Sequence, residues 1–192
     1  GHEGVAPAVA VVGGEGEDMV RIWNPLFSAD IMLMGEQNGA YNFTVLDEVL
    51  DFLTDNHLDV FLDLTPRRER TMASESREIH GKAAIQRFKT LDDWLRAVSA
   101  LLTHLGSRYR EAAGRWVFEI DFFMNEVAYY SEKYDPQMLF NKTAGLIHEL
   151  IPGARVAGPG LICDYNPDRD YENIKIFLSG CSDNLDIFTS LN

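Results

Sequence analysis

A chain of 192 residues, 46% hydrophobic and 11% aromatic, is long enough to bury one sizeable core, which excludes disorder as the default state. Its formal net charge of -13, from 30 acidic and 17 basic residues, disfavours a phosphate backbone or an anionic membrane surface as a direct partner. No apolar run approaches the roughly 20 residues of a membrane helix, and the first residues lack a signal-peptide pattern. The sequence therefore predicts a cytoplasmic protein whose direct contacts include neither nucleic acid nor membrane.

The residue types that bind metals and cofactors occur without the required spacing. Cys163 and Cys181 are too few for a disulfide framework and are expected to be reduced thiols. Residues 164–170 alternate oxygen ligands as a calcium loop does, but Arg169 and Lys175 stand where glycine and glutamate are required, which favours a solvated acidic loop. No histidine pair has zinc-ligand spacing, and no glycine-rich loop has a phosphate-binding pattern. We therefore expect neither a metal nor a cofactor.

The first predicted elements are a strand, a helix and a second strand. Residues 19–23 are short and β-prone, and they follow an acidic, glycine-rich stretch. Residues 43–56 have apolar positions at helical spacing, and Thr44 precedes Asp47 in the arrangement of a capping box. Residues 58–64 form a compact β-type run. The chain therefore begins with a strand–helix–strand unit.

The same alternation continues after a long polar connection. A helix begins at Thr90 or Asp92, either of which is a suitable N-cap. Residues 115–123 form a strand, and Asp135-Pro136 begins a helix, because proline is tolerated in the first turn. The remaining predicted elements are a strand over residues 154–157, a helix over 171–178 and a strand over 185–191.

Five strands alternating with helices, and lacking hairpin dipeptides between them, predict right-handed βαβ units and a parallel sheet. An open doubly wound sheet and a barrel use the same units, so the alternation alone does not choose between them. Open sheet edges invite pairing between chains, so self-association through the edges of a five-strand piece is a further expectation. Gly1-His2 is typical of a cloning remnant, and residues 1–18 are set apart as an N-terminal extension or a segment left by cloning.

One pair of residues has the chemistry of a reactive site. Asn125-Glu126 follows the predicted strand over residues 115–123. At the C-terminal end of a barrel strand, an amide holds a sugar hydroxyl and a neighbouring carboxylic acid protonates the leaving oxygen in glycoside cleavage. As a bare dipeptide, the pair is more typical of an exposed polar turn.

Several segments occur in an order shared with a known enzyme family. In chain order they are Val20-Arg21-Ile22-Trp23, Tyr41-Asn42-Phe43, residues 46–53, residues 59–64, Asp93-Trp94, His104-Leu105, Arg108-Tyr109, residues 116–120 and residues 155–159. Together they resemble successive pieces of the β-xylosidases of glycoside hydrolase family 39, over residues 19–191. The resemblance implies an α/β fold, namely a partial (β/α)8 TIM barrel of about five parallel strands with intervening helices, spanning residues 19–192.

The sequence also departs from this family in places that matter for catalysis. In the family, the strand equivalent to residues 118–120 runs directly into the acid/base glutamate, and an ungapped count places Phe123 there. Glu126 would return to the site only if the strand contained a bulge. Trp23 or Asn24 replaces a family histidine, and the family's nucleophilic glutamate would lie beyond Asn192. A retaining mechanism requires two carboxyl groups about 5 Å apart, and this segment supplies at most one.

These departures predict a carbohydrate-recognising domain that does not catalyse cleavage as this chain. Residues 24–28 and the acidic barrel region also resemble the family 39-like domains of AraC-type transcriptional regulators, which implies a sugar-sensing role. The resemblance implies a small carbohydrate ligand held by Trp23, Asn24, Phe123 and Asn125. The alternative is a fragment of a retaining β-xylosidase in which Glu126 is the acid/base, and a purely structural module is a third hypothesis.

Overall fold

The computed structural model describes residues 9–14, 17–22, 35–37, 40–64, 90–120, 135–162 and 166–191. Strands in these ranges are β1 (Val9–Gly14), β2 (Glu17–Ile22), β3 (Gly35–Gln37), β4 (Ala40–Asn42), β5 (Asp59–Asp63), β6 (Val117–Glu119), β7 (Arg155–Ile162) and β8 (Ile187–Leu191). The α-helices in the same ranges are α1 (Thr44–Asp55), α2 (Leu91–Tyr109), α3 (Pro136–Leu150) and α4 (Pro167–Cys181).

A six-stranded sheet with the order β1-β2-β5-β6-β7-β8 organises the described residues. The pairs from β2 to β8 are all parallel, with helices between successive strands, as βαβ units require. The predicted five parallel strands in sequence order are therefore confirmed.

Three short strands are additional to those expected from the sequence. β1 pairs antiparallel with β2 along the edge of the parallel strands, and β3 pairs with β4 in a separate hairpin. β1 covers the outer side of β2. At the other side of the sheet, β8 is the last strand in the described ranges. Self-association through an open edge stays a prediction.

The sheet separates two apolar clusters, because successive side chains of a strand point to opposite faces. The larger cluster includes Val20, Leu62 and Phe118 and packs against the helices. A smaller cluster lies on the opposite face, which we call the inner face, and contains Met19, Phe61, Val117 and Ala157, with Ile187 packed against it. Charged side chains at the ends of the same strands share this inner face.

The helix starts follow the local chemistry of the chain, with one correction. Thr90 and Asp135 cap α2 and α3, and their side-chain oxygens accept from the backbone N–H groups of Asp93 and Met138 at 3.1 and 3.0 Å. The predicted capping box at Thr44 is wrong. Asn42 Oδ1 instead accepts from the Thr44 N–H at 3.0 Å and from the Thr44 hydroxyl at 2.7 Å, because the helix begins at Thr44, one residue earlier than a Thr44 N-cap requires.

The helix layer packs closely against the second half of the sheet. A Cβ added to Gly158 in β7 would lie 2.8 Å from a Phe140 ring carbon and 2.9 Å from the Ile120 carbonyl oxygen, so only glycine fits there. Trp94 Nε1 donates to Thr143 Oγ1 at 2.9 Å, and both side chains are buried, which joins α2 to α3. This packing fixes the positions of β5, β6 and β7 in the sheet.

Candidate functional site

The C-terminal ends of β2, β5 and β6 bring three charged residues together on the inner face. Arg21 lies near the end of β2, Asp63 ends β5 and Glu119 ends β6. The register aligns Arg21 with Phe61 and Asp63 with Glu119. We call Arg21, Asp63 and Glu119 the inner charged cluster.

The centre of this cluster is an ion pair between strands that are not neighbours. Arg21 Nη2 donates to Glu119 Oε2, and β5 lies between the two strands. The guanidinium carbon of Arg21 lies 4.7 Å from the centroid of the Phe61 ring, so the arginine crosses β5 over an aromatic surface. Phe61 therefore supports the side chain that joins β2 to β6.

Burial separates the inner charged cluster from an ordinary surface ion pair. Relative exposure is 9% for Arg21, 0% for Asp63 and 1% for Glu119. A carboxylate engaged with a buried arginine accepts hydrogen bonds and holds no proton for a leaving group. Such a pair adds little net stability, yet removing one partner costs about 3–5 kcal/mol, because the other charge stays buried. The chemistry of this cluster therefore favours positioning over proton transfer.

The residues predicted to form the sugar site follow the same strand ends. Trp23 and Asn24 come directly after β2, and Phe123, Asn125 and Glu126 come shortly after β6. All five lie outside the described residues, so their placement stays a prediction. Neighbouring strands are about 4.8 Å apart. Because β5 lies between β2 and β6, the C-terminal ends of these two strands are about 10 Å from each other.

The acidic run near residue 166 is also clearer in the structure. Asp168 and Asp170 lie in the first turn of α4, where carboxylates interact favourably with the positive end of the helix dipole. This segment was expected to be a solvated acidic loop, and that expectation is wrong for these two residues because the helix begins at Pro167. Throughout the described ranges, no group of three or more His, Cys, Asp or Glu side chains is arranged to hold a metal ion.

A second charged network joins α1 to α2 on the helix side of the sheet. Arg108 donates to both carboxylate oxygens of Asp51 at 3.2 and 2.6 Å, and the Tyr109 hydroxyl donates to Asp51 at 2.9 Å. His104 lies 2.6 Å from Asp47 and stacks on Phe43 with ring centroids 4.1 Å apart. We call Asp47, Asp51, His104, Arg108 and Tyr109 the helix network.

The helix network shifts the pKa values of Asp51 and Tyr109 in opposite directions. The hydrogen bond from Arg108 lowers the pKa of Asp51 below its usual value of 3.8, against a smaller opposing effect of burial. Burial, followed by the hydrogen bond to Asp51, raises the pKa of Tyr109 above its usual value of 10.0. Both shifts arise between helices and away from the inner face, so they are structural in origin.

Cys181 is a free, buried thiol at the end of α4. Burial raises its pKa to about 12, with a smaller effect from Asp135, so the thiolate needed for nucleophilic chemistry is scarce. The reduced state expected for both cysteines stays a prediction, and Cys163 lies outside the described residues. Among the described helices, none is both long and apolar enough to cross a membrane.

The inner charged cluster is the part of the site that the sequence analysis missed. Its signal is nevertheless present, because Arg21, Asp63 and Glu119 interrupt β-type runs that are otherwise apolar. Each lies two residues after an inner-face apolar residue, namely Met19, Phe61 and Val117. Alternation along a strand places each charge on the same face as that neighbour.

Known proteins provide an independent comparison. The chain is 22% identical over 135 residues to a curated β-xylosidase from Geobacillus stearothermophilus and 27% identical over 133 residues to one from Caldicellulosiruptor saccharolyticus. These matches cover 69% and 65% of this chain, and 27% and 26% of the two relatives. The chain therefore spans about a quarter of the length of the curated relatives that it matches.

A solved structure shows the fold, and a family model shows the family. The structure of a family 39 β-xylosidase from Caulobacter crescentus matches with a TM-score of 0.59 at 22% identity, over 91% of this chain and 39% of that one. The described sheet is thus part of a TIM-barrel fold. The model of glycosyl hydrolases family 39 matches residues 16–187, which is most of the chain, and this protein therefore belongs to glycosyl hydrolase family 39.

Proposed function

We propose that this chain is the sugar-recognising portion of a family 39 barrel and does not cleave glycosides by itself. The observation that carries the proposal is the burial of both carboxylates that end β5 and β6 on the inner face. A glycosidase needs carboxyl groups that flank a bound glycosidic bond.

Spacing alone would suit Asp63 and Glu119 to retaining cleavage. They are aligned on neighbouring strands, which places their backbones about 5 Å apart, near the carboxyl separation of retaining enzymes. Their exposures of 0% and 1% leave no surface for a sugar ring, and Glu119 is already bound to Arg21. These two residues therefore support the site without acting on substrate.

Recognition is proposed for the residues that follow the strand ends. Trp23 and Phe123 supply aromatic faces on which a sugar ring stacks, and Asn24 and Asn125 supply amides for its hydroxyl groups. A neutral carbohydrate also suits a chain with a net charge of -13, because binding does not require an anionic ligand to approach an acidic protein.

A second candidate function is β-xylosidase activity in a longer protein, with Glu126 as the acid/base. It is favoured by the two curated relatives, which are both β-xylosidases. Because the chain spans about a quarter of those relatives, the activity of the whole protein is part of this proposal. A cytoplasmic sugar sensor in an AraC-type regulator, as the sequence resemblance implies, is the corresponding proposal for a non-catalytic barrel.

Titration with xylose and xylobiose, followed by calorimetry, tests recognition directly. We expect Trp23→Ala or Phe123→Ala to weaken binding by about tenfold or more, because each removes a stacking surface. Phe52→Ala is the matched control, since Phe52 is an aromatic residue of α1 that is 64% exposed. Equal binding by all three variants, or no binding by the unmodified chain, would contradict the proposal.

An aryl β-xyloside assay separates recognition from catalysis. We expect the 192-residue chain to release no aryl alcohol above the buffer rate, since its described inner-face carboxylates are inaccessible. The control pair is Glu126→Gln and Glu149→Gln, because Glu149 is exposed on α3. Activity that Glu126→Gln abolishes and Glu149→Gln preserves would establish the enzyme alternative.

A further inference from the structure

One side of α1 carries an exposed apolar stripe outside the helix network. Val45 and Phe52 are 42% and 64% exposed, and Val49 between them is only partly buried. The three residues follow one another at helical spacings of four and three, so they lie along a single side of the helix. We call Val45, Val49 and Phe52 the α1 stripe. Apolar side chains that are exposed together mark a contact surface more often than scattered ones do.

The α1 stripe faces away from α2. At about 100° per residue, it lies on roughly the opposite side of α1 from Asp47 and Asp51, which contact α2 through the helix network. In the sheet order, this direction leads from β5 past β2 to β1. A helix follows each of β2, β5, β6 and β7, but the chain has only two residues between β1 and β2. In the described ranges, α1 is therefore the outermost helix of the layer on the β1 side of the sheet.

Negative charge borders the α1 stripe on its solvent side. Glu48 and Asp55 are both exposed, and because they are two helical turns apart they line the same side of the stripe. Neither carboxylate forms an ion pair in the part of the chain that the structure describes. α1 contains no lysine or arginine. The surface therefore combines an apolar stripe with a negative border that α1 itself does not neutralise.

We propose that the α1 stripe is a docking surface for an amphipathic helix of a partner protein, one with an apolar stripe of its own and lysine or arginine beside it. Helices that pack side by side bury apolar residues at spacings of three and four, as Val45, Val49 and Phe52 provide. Basic residues of the partner lie next to Glu48 and Asp55, as flanking charges do between paired helices. This interaction is independent of the sugar site.

Charge distinguishes this partner from the other candidates. Two copies of the chain paired through α1 bring Glu48 and Asp55 of both copies together, and each copy has a net charge of -13. An anionic lipid surface meets the same carboxylates. A basic helix instead gains from both the apolar contact and the charges, and its association is faster at low salt.

The test uses a defined probe, a fluorescently labelled helical peptide made of leucine, alanine and lysine. Leucine occupies the apolar positions of each heptad and lysine the flanking positions, which gives a basic amphipathic helix. A second peptide has glutamate in place of lysine, and a third has the composition of the first in scrambled order. Fluorescence anisotropy at about 0.1 M salt should show the unmodified chain binding the first peptide at least about tenfold more tightly than either of the others.

An aromatic substitution tests the apolar part of the surface. Phe52→Ala should weaken binding of the basic peptide by about tenfold or more, because it removes the largest side chain of the α1 stripe. Tyr171→Ala is the matched control, since Tyr171 is an aromatic residue of α4 with the same exposure of 64%. We expect this control to keep the affinity within about twofold of the unmodified chain.

A charge substitution tests the negative border. Glu48→Gln/Asp55→Asn should weaken binding of the basic peptide by about threefold to tenfold and reduce its dependence on salt. Glu149→Gln/Asp183→Asn removes two exposed carboxylates elsewhere on the chain and should do neither. The comparison separates docking at α1 from general attraction between a basic peptide and an acidic protein.

Each outcome supports or overturns docking of a basic helix. Similar affinity for the three peptides, or no binding of the basic one, overturns it. Equal weakening by Phe52→Ala and Tyr171→Ala overturns it as well, because the contact is then not specific to α1. Self-association of the unmodified chain that Phe52→Ala abolishes would assign the α1 stripe to a second copy. These variants change only exposed side chains, so unchanged urea midpoints should show that each remains folded.

Discussion

The inner charged cluster and the helix network each join separate elements through charged side chains, but water reaches them to different extents. Glu119 and Asp63 are fully enclosed, whereas the side chains of Asp51 and Arg108 are 43% and 44% exposed. In the exposed network, Asp51 accepts hydrogen bonds from both Arg108 and Tyr109. Exposed pairs are screened and mobile, so the buried cluster is nevertheless the one in which a single substitution has the larger consequence.

The difference also concerns what each network can position. The helix network lies between α1 and α2, and it fixes two neighbouring helices that already share an apolar core. The inner charged cluster joins β2 and β6, which are not neighbours in the sheet. It lies at the C-terminal strand ends that precede the predicted sugar-binding residues in the sequence. In the helix layer, the charged side chains therefore join elements that apolar packing already holds together. On the inner face, they join strands that are not packed side by side.

The largest effect is expected for Arg21→Met. This change leaves Glu119 and Asp63 buried side by side without the arginine, and we expect a loss of about 3–5 kcal/mol in the free energy of unfolding, measured in urea. Arg108→Met in the helix network is the matched control and should lose only a small part of that amount, because Arg108 is exposed. A larger loss in Arg108→Met than in Arg21→Met would reverse the comparison.

A smaller effect is expected for His104→Ala in the helix network. The change removes a ring stacked on Phe43 and a nitrogen that lies 2.6 Å from Asp47, and we expect a loss of about 1–2 kcal/mol in thermal or urea unfolding. His104→Phe keeps the stacking and should recover more than half of the loss. Failure of His104→Phe to recover any stability would show that the contact with Asp47 dominates.

Local chemistry explains which parts of this fold the sequence predicts. Thr90 and Asp135 are recognisable caps because the acceptor and the N–H it satisfies lie three residues apart. The error at Thr44 has the same local origin, since threonine is a good capping residue by type, but the backbone makes Phe43 the N-cap and Thr44 the first helical residue. β1 is missed because it lies in the segment set apart as an N-terminal extension, and its partner strand is itself part of the parallel sheet.

The candidate site is predictable only in part, for a topological reason. Alternation indicates that Arg21 and Glu119 lie on the inner face, but their contact depends on strand order, with β5 placed between them. A residue pair 98 positions apart has no local signal. The assignment of Phe123 or Glu126 to the acid/base position stays a prediction, because both residues lie outside the described ranges.

A pH-dependent effect is expected in alkaline solution. The raised pKa of Tyr109 means that the unfolded chain loses this proton near pH 10 while the folded chain keeps it. The unfolded state is then favoured, so stability should fall as the pH rises above about 10. Tyr109→Phe should flatten this fall relative to the unmodified chain in urea titrations at pH 9 to 11, and an identical slope in both proteins would contradict the assignment.

The smallest effect is expected at acid pH, from Asp51 in the same network. The hydrogen bond from Arg108 holds the pKa of Asp51 below its usual value of 3.8, so the folded state favours the carboxylate more than the unfolded state does. The stability that Asp51 contributes is therefore present above about pH 4 and is lost as the pH falls through the lower folded-state pKa. Because this carboxylate is 43% exposed, solvent screening keeps the contribution small, and high salt should reduce it further.

The measurement is the difference in urea midpoint between the unmodified chain and Asp51→Asn from pH 7 to pH 3. That difference should narrow as the pH falls and should be smaller in 1 M salt, whereas Asp55→Asn, an exposed change at the end of α1, should show no comparable narrowing. A difference that grows toward pH 3 would mean that burial outweighs Arg108 at Asp51, and the helix network would then resemble the inner face more closely than its exposure suggests.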